Sequence, residues 1–270
     1  MNQAETANKT LLKMWADYVL INPSAEKIYN LFKQSGETIV NDHIALRTFN
    51  HPRLGIQSLA QPFLQLGYQE AGEYFFKEKK LYAQHFQHPE FDLPKIFISE
   101  LELEKVSPYI QETIANCIQK IQTDKINSED FCFSGRHWNI DHATYLKLAA
   151  ESEYASWVYA FGFRPNHFTM SINHLKNFSS LQKVNDFLKV NGIKLNASGG
   201  EIKGTPAELL EQSSTMAGEI QWSFSNGMYS IPACYYEFAK RYPMADGKLY
   251  HGFIAKSADK IFESTNRSST

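Results

Sequence analysis

Three residues that are far apart in the sequence could together hold a metal ion. His43 and His167 each stand at the start of a stretch in which side chains alternate, and Glu237 stands among aromatic residues in a third stretch. Alternation with a period of two residues predicts β-strands, whose successive side chains point to opposite faces of a sheet. We therefore expect two imidazoles and one carboxylate to project from strands into a common space.

This combination of ligands favours a particular chemistry. Two histidines and one carboxylate cover one face of an octahedral ion and leave positions open for a chelating substrate and for dioxygen, which suits iron(II). Zinc or manganese could also bind the same donors, so the ligand types alone leave the metal open. We predict that His43, His167 and Glu237 are both the metal ligands and the catalytic residues.

The glutamate is the most informative of the three residues. A single histidine in a strand is more often a hydrogen-bonded structural residue than a ligand. Glu237 has Tyr235, Tyr236 and Phe238 as neighbours, and a carboxylate in such an apolar strand costs several kcal/mol unless a cation or hydrogen bonds compensate for its burial. A bound metal ion would provide that compensation.

Arg47 could bind a substrate near the metal. In the predicted strand it lies on the same face as His43, four residues farther along at roughly 3.3 Å per residue. A guanidinium pairs with a carboxylate through two parallel hydrogen bonds, so Arg47 could hold the far end of a 2-oxo dicarboxylic acid. An ion pair with Glu100 or another acidic residue is an equally good interpretation.

Other polar residues are weaker candidates. His85 and His88 have no third ligand near them in the sequence and are interpreted as loop residues. Asp141 lies in a segment typical of helix caps. Ser213 and Ser214 follow a predicted short helix and precede a hairpin, so we assign them, as loop residues, to the substrate-binding site.

The elements that would position these residues follow the same order twice. A first module, 42–104, reads as strand, helix and three short strands, and a helical insertion spans 105–163. A second module, 164–256, reads as a strand at 167–173, a helix at 179–191, a short run at 200–203 and strands at 219–224 and 228–238. We predict one catalytic domain, 1–270, of the α+β class, in which two βαβββ modules form a curved sheet that holds the metal.

The composition excludes some partners. Lys and Arg (27) nearly balance Asp and Glu (29), and a net charge of −2 creates no field that would gather nucleic acid or an anionic membrane. No apolar run is long enough to span a bilayer and no signal peptide is visible, so we expect a cytoplasmic protein. Cys117, Cys132 and Cys234 are widely spaced and are predicted to be buried thiols. The oligomeric state is not predicted.

Five segments are similar to the 2-oxoadipate dioxygenase/decarboxylases, a family long catalogued only as a domain of unknown function. They lie between about residue 42 and residue 253 and contain both histidines, the glutamate and the arginine. The segments are DHIALRTF at 42–49, YASWV at 154–158 leading to FGFRPNHFT at 161–169, SGGEIKG at 198–204, LEQSST at 210–215 and YYEFAKRYP at 235–243.

The resemblance implies a vicinal-oxygen-chelate-like fold and an iron(II) centre formed by His43, His167 and Glu237, with Arg47 receiving the distal carboxylate of the substrate. Members of the family convert 2-oxoadipate and dioxygen to D-2-hydroxyglutarate and carbon dioxide, a step of lysine breakdown. Two other functions remain open: a glyoxalase-like lyase, isomerase or hydrolase that uses zinc or nickel as a Lewis acid, and a non-catalytic module that binds small molecules.

Overall fold

The computed structural model describes residues 3–265, which divide into two compact units. The first unit comprises the chain up to Tyr18, Ala45–Asn166 and Glu219–Ile231. The second comprises Val19–Ile44, His167–Gly218 and the chain from Pro232 onward. Both units are discontinuous in sequence, so the predicted module boundaries at 104 and 164 stay a prediction.

The first unit contains the predicted order of strand, helix and three strands. β3 pairs antiparallel with β2 and with β4, and β1 lies beside β4. The elements are α1 (Gln3–Ile21), which extends into the second unit, most of β1 (Asn41–Phe49), α3 (Ile56–Gln65), β2 (Gln69–Phe76), β3 (Leu81–Gln87), β4 (Lys95–Leu101), α4 (Pro108–Gln119), α5 (Thr123–Ile126), α6 (His142–Glu151), α7 (Glu153–Phe161), β8 (Glu219–Phe224) and β9 (Gly227–Pro232).

Helix α3 shows why these residues form this element. Ile56, Leu59, Ala60 and Phe63 are buried and recur at helical spacing, so they form one apolar stripe against the sheet. The carboxylate of Glu100 accepts a hydrogen bond of 3.0 Å from the backbone amide of Ile56, where the helix dipole favours a negative charge. The carboxylate of Glu100 therefore binds the start of α3. Arg47 forms its ion pair with Glu153 instead.

The segment predicted as a helical insertion contains four α-helices, α4 to α7, and the chain around 127–141 is irregular except for a short 3-10 helix at Phe131–Phe133. Three of its helices begin at side-chain caps, and at the start of α7 the hydroxyl of Ser152 accepts a hydrogen bond from the amide of Ala155. Ser107 accepts a hydrogen bond from the amide of Ile110 at the start of α4, as its position before a proline predicts. Asp141 accepts one of 2.8 Å from the amide of Thr144 at the start of α6, which confirms its predicted role as a cap.

The second unit contains the remaining strands, in the order β1-β5-β10-β7-β6. β5 and β10 are parallel, whereas β7 is antiparallel to both of its neighbours. Its core is aromatic: the Phe32 ring lies 5.0 Å from Phe178, 5.1 Å from Phe187 and 6.2 Å from Phe238. The elements are α2 (Pro23–Gln34), the start of β1, β5 (Pro165–Ser171), α8 (Leu181–Val190), β6 (Lys203–Thr205), β7 (Leu210–Ser214), β10 (Tyr235–Arg241) and α9 (Ala255–Phe262).

Three local predictions were wrong. Residues 212–214 are part of strand β7 rather than a loop, because Gln212, Ser213 and Ser214 find buried hydrogen-bond partners. The strand predicted at 228–238 is divided at 233–234 into β9 and β10, and β9 pairs with β8 in a separate two-stranded sheet. His85 lies in β3 rather than in a loop and is 2% exposed, with its Nδ1 atom 2.9 Å from the hydroxyl of Tyr74.

The three cysteines are buried free thiols, as predicted. Burial raises the pKa of Cys117 and of Cys132 to about 12, so both remain protonated thiols near neutral pH. Within residues 3–265, none of the helices combines the length and the apolar character needed to cross a membrane.

Candidate metal centre

The three predicted ligands lie on β1, β5 and β10, within the second unit. β5 and β10 run parallel, with Tyr235 opposite His167 and Glu237 opposite Thr169. His167 and Glu237 are therefore two positions apart on adjacent strands, and side chains two positions apart share a face. β1 is the neighbour of β5 on its other side and carries His43. Strand pairing thus brings together residues that are up to 194 positions apart in the sequence.

The distances fit a shared ion. The Nε2 atom of His167 lies 3.2 Å from Oε2 of Glu237, and the Nε2 atom of His43 lies 3.8 Å from Oε1 of the same carboxylate. One donor atom from each residue lies within 4.8 Å of the others. Bonds of about 2.0–2.2 Å to one ion place its ligand atoms about 3–4 Å apart, which matches both measured distances.

The site is buried and charged. His43, His167 and Glu237 are 2%, 5% and 1% exposed. Burial acts to raise the pKa of Glu237, but the electrostatic effect of His43, together with the hydrogen bonds from His167 and Gln212, outweighs it and lowers that pKa below its usual value. The carboxylate therefore stays ionised, as a metal ligand must be.

Gln212 directly contacts the carboxylate. Its Nε2 atom donates a hydrogen bond to Oε1 of Glu237, while Oε2 faces His167. The side chain of Gln212 comes from β7, which is antiparallel to β10 with Gln212 opposite Ala239 and Ser214 opposite Glu237. This contact orients the carboxylate within the group of donors.

The two histidines are held in different ways. The Nδ1 atom of His43 donates to Oδ1 of Asp42 at 2.8 Å, and its Nε2 atom lies 3.0 Å from the hydroxyl oxygen of Thr169. The ring of His167 is stacked on Tyr235, with centroids 4.6 Å apart and planes inclined by 27°. The two imidazole rings are nearly perpendicular, at 84°.

Arg47 belongs to the first unit. It is 2% exposed, and its Nη1 atom lies 2.9 Å from Oε1 of Glu153, a side chain that is 27% exposed. Its guanidinium carbon lies 4.9 Å from the ring centroid of Tyr154 and 5.2 Å from that of Trp157. Arg47 therefore forms an ion pair with an acidic residue, as the alternative interpretation of the sequence predicted, and the partner is Glu153.

The two predicted substrate-binding serines point in opposite directions because they are adjacent in a strand. Ser213 donates to Oδ1 of Asn185 in α8 at 2.8 Å, on the face opposite to Gln212. Ser214 shares the face of Gln212, and its hydroxyl lies 2.8 Å from that of Ser264. Their assignment to the substrate stays a prediction, and the geometry favours Ser214 over Ser213.

The sequence analysis assigned no role to Asp42 or Arg241 and considered Gln212 only as a loop residue that could line the pocket, whereas all three surround the ligands. The sequence contains a signal for one of them, because Asp42 directly precedes a predicted ligand. Arg241 lies beyond the strand predicted at 228–238 and shares a face with Glu237 only in the observed β10. Gln212 has no comparable signal, because its strand was interpreted as a loop. His85 and His88 do not belong to the group of donors.

Solved structures show the same fold. A protein from Ralstonia eutropha, provisionally described as a member of the glyoxalase superfamily, superposes with a TM-score of 0.77 at 17% identity, over 94% of this chain and 87% of that one. This likeness confirms the predicted vicinal-oxygen-chelate-like fold of the α+β class. A protein from Shewanella frigidimarina, provisionally described as a hydrolase, has a TM-score of 0.88 at 50% identity, over 92% of this chain and 97% of that one.

Relatives with a described activity agree with one another. The rice hydroxyglutarate synthase, solved in complex with 2-oxoadipate, has a TM-score of 0.92 at 35% identity, over 97% of this chain and 93% of that one. A 2-oxoadipate dioxygenase/decarboxylase of rice, described as chloroplastic/amyloplastic, is 37% identical over 92% of this chain and 76% of its own length. The family model for 2-oxoadipate dioxygenase/decarboxylase matches residues 7–249, and this chain belongs to that enzyme family.

Proposed function

We propose that the protein is an iron(II)-dependent enzyme that converts 2-oxoadipate and dioxygen to D-2-hydroxyglutarate and carbon dioxide, a step of lysine catabolism. The buried group of His43, His167 and Glu237 in a chain of this family is the observation that carries the proposal. This reaction balances with dioxygen as its oxidant. The bond between C1 and C2 breaks, and one oxygen atom enters the new carboxylate while the other forms the hydroxyl group.

The three ligands have distinct tasks. Iron(II) held there would supply the redox chemistry by which dioxygen reacts with a bound 2-oxo acid. His43 and His167 contribute nitrogen donors, and Glu237 contributes the negative charge. Their burial keeps bulk water away from the donors, and Gln212 holds one oxygen of the carboxylate in place.

Arg47 is proposed to bind the carboxylate at the far end of the substrate. It lies on β1 with His43, four residues farther along and on the same side of the strand, which corresponds to roughly 13 Å of strand length. The rings of Tyr154 and Trp157 lie against its guanidinium, so a planar, preoriented donor is available for a carboxylate. Ser214 is a further candidate for a substrate contact.

An oxygen electrode tests the activity and the role of Arg47 together. Protein loaded with iron(II) should consume dioxygen only when a 2-oxo dicarboxylate is present, with the fastest rate for 2-oxoadipate in a series of graded chain length. Arg47→Ala should lower kcat/KM by about 10- to 150-fold, because a hydrogen bond to a charged group contributes about 1.5–3 kcal/mol, and should leave the metal content intact.

Arg53→Ala provides the matched control. Arg53 belongs to the same unit but is exposed and donates to the backbone carbonyls of Ile118 and Ile121, so its removal should leave kcat/KM unchanged. The assigned role of Arg47 is wrong if Arg47→Ala releases the metal, or if it turns over 2-oxoadipate like the parent protein.

A second candidate function is a glyoxalase-like lyase, isomerase or hydrolase that uses the metal as a Lewis acid. A relative that is 50% identical is provisionally described as a hydrolase, and this description supports the second candidate function. Turnover of 2-oxo acids by the zinc- or nickel-loaded protein without dioxygen would support this function, whereas strict dependence on iron and dioxygen would exclude it.

The location of the protein in the cell also stays a prediction. The sequence led us to expect the cytoplasm, whereas the 37% identical relative of rice is described as chloroplastic/amyloplastic. Detection of the protein in separated cell fractions would decide between a cytoplasmic and an organellar location.

A further inference from the structure

A buried ion pair lies directly behind His43. Asp42 and Arg241 are 7% and 3% exposed. The Nε atom of Arg241 donates to Oδ2 of Asp42 at 2.7 Å, and its Nη2 atom donates to Oδ1 at 2.9 Å. Oδ1 also accepts the hydrogen bond of 2.8 Å from Nδ1 of His43. A single carboxylate thus connects the guanidinium to the imidazole.

We propose that Asp42, held in place by Arg241, is a positioning residue that fixes the tautomer and the orientation of His43. The inference rests on the proposed metal site, because it assigns a role to the residues behind one ligand of that site. It assigns no contact with substrate to either residue.

The tautomer follows from the chemistry of the carboxylate. An ionised aspartate only accepts hydrogen bonds, so Nδ1 of His43 must carry the proton. The lone pair is then on Nε2, which is the atom that faces Glu237 and that lies 3.0 Å from the hydroxyl of Thr169. A metal can bind only the nitrogen that carries a lone pair, and partners of this kind commonly orient histidine ligands.

Arg241 is anchored on the side away from Asp42. Its Nη1 atom donates to the carbonyl oxygen of Tyr250 at 3.0 Å and to that of Gly252 at 2.8 Å. Its guanidinium carbon lies 5.1 Å from the ring of Phe253, and this ring is perpendicular to the imidazole of His43, with centroids 4.8 Å apart. The ring of His43 is therefore restrained on its Nδ1 edge and on one neighbouring surface.

Asp42→Asn should no longer fix the ring proton of His43 on Nδ1. Arg241 donates to both oxygens of Asp42, whereas an amide offers only one acceptor, so in either orientation the amide nitrogen opposes one donor of the guanidinium. In the orientation that turns the amide nitrogen towards His43, this nitrogen donates to Nδ1 and the proton of the ring is on Nε2. Metal binding requires this arrangement to be reversed, so affinity should fall although the metal ligands are unchanged.

The test is a titration of metal-free protein with cobalt(II), followed by its visible absorption, at one pH and without substrate. The parent protein should bind cobalt(II), and Asp42→Asn should bind it about 10- to 100-fold more weakly, the range usual for partners of metal ligands. Nitrogen-15 NMR of the histidine rings should show the proton of His43 on Nδ1 in the parent protein and a population with the proton on Nε2 in the variant.

Glu37→Gln is the matched control. Glu37 is a buried carboxylate of the same unit, 5% exposed, and accepts hydrogen bonds of 2.7 Å from the amides of Lys176 and Asn177. Neither of these hydrogen bonds involves His43. Glu37→Gln should therefore change the affinity for cobalt(II) by less than about twofold, even if the protein becomes less stable.

The outcomes separate this inference from the proposed function. The positioning role is wrong if the parent protein binds cobalt(II) and Asp42→Asn binds it equally well, or if Glu37→Gln loses as much affinity. It is also wrong if His43 carries its proton on Nε2 in the parent protein, a result that requires no variant to fold. Failure of the parent protein to bind cobalt(II) would overturn the metal site itself and the inference with it.

Discussion

Two buried arginines of the sheet, Arg241 and Arg47, differ in what holds them. Arg241 on β10 forms a two-point ion pair with Asp42, whose side chain is 4% exposed, and also donates to two backbone carbonyls. Arg47 on β1 lies among aromatic rings, and its carboxylate partner, Glu153, is 27% exposed. One guanidinium is fixed by a buried carboxylate and two backbone carbonyls, whereas the other pairs with a carboxylate that water can reach.

This difference separates a structural arginine from one that can exchange partners. Removal of Arg241 would leave Asp42 charged and buried, which is strongly unfavourable. Removal of Arg47 would leave Glu153 able to be hydrated, and a pair of this kind contributes little. The same difference would allow Arg47 to exchange Glu153 for the carboxylate of a substrate at small cost.

The largest expected effect tests this contrast through stability. Arg241→Met should lower the free energy of unfolding by about 3–5 kcal/mol, because it leaves a buried charge without its partner. Arg47→Met should lower it by about 1 kcal/mol or less, because Glu153 is partly hydrated. Urea denaturation measures both, and equal losses would contradict the contrast.

Lys203 is a third buried cation that can be compared with the two arginines, and lysine, unlike arginine, can lose its proton. It is 4% exposed, and burial lowers its pKa from 10.5 to about 8 despite the nearby carboxylates of Glu237, Glu263 and Glu201. Between pH 8 and 10.5 the unfolded chain keeps a proton that the folded protein has released, so this lysine makes the protein more stable as the pH rises through that window.

Lys203→Met should remove that pH dependence. At pH 7 the variant should be more stable than the parent protein by up to about 3 kcal/mol, and the difference should become small near pH 10. Urea denaturation at both pH values measures it. A difference in stability that does not change with pH would show that burial does not depress the pKa of Lys203.

The smallest effect concerns the partner of Arg47. With Arg47 in its proposed role, Glu153→Gln would remove a charge that competes with the substrate carboxylate, so KM for 2-oxoadipate should fall by up to about fivefold, while the free energy of unfolding changes by less than about 1 kcal/mol. Steady-state kinetics measures this effect. An increase in KM would mean that Glu153 orients Arg47 for the substrate instead of competing with it.

Residues with a strong local pattern could be predicted from the sequence. β1 and β5 were found because their side chains alternate, and Glu237 attracted attention because a carboxylate among aromatic residues requires compensation. The prediction that these residues meet depended on a repeated order of elements, which the first unit follows closely.

Elements whose pattern depends on distant partners could not be predicted. β7 contains a glutamine and two serines, so it reads as a loop until Glu237, Asn185 and Ser264 are known to accept or share their hydrogen bonds. The break at 233–234 likewise reflects two different sheets on either side, which no local pattern of residues indicates. The missed contact of Gln212 with the carboxylate has the same origin.

Direct measurement of metal binding tests the central claim that three distant side chains hold one ion. Metal-free protein titrated anaerobically with iron(II) in a calorimeter should bind one ion per chain, and Glu237→Gln should bind it more than about 100-fold more weakly, with Glu37→Gln as the control. Binding of iron(II) by Glu237→Gln with the affinity of the parent protein, or no binding by the parent protein, would contradict the account.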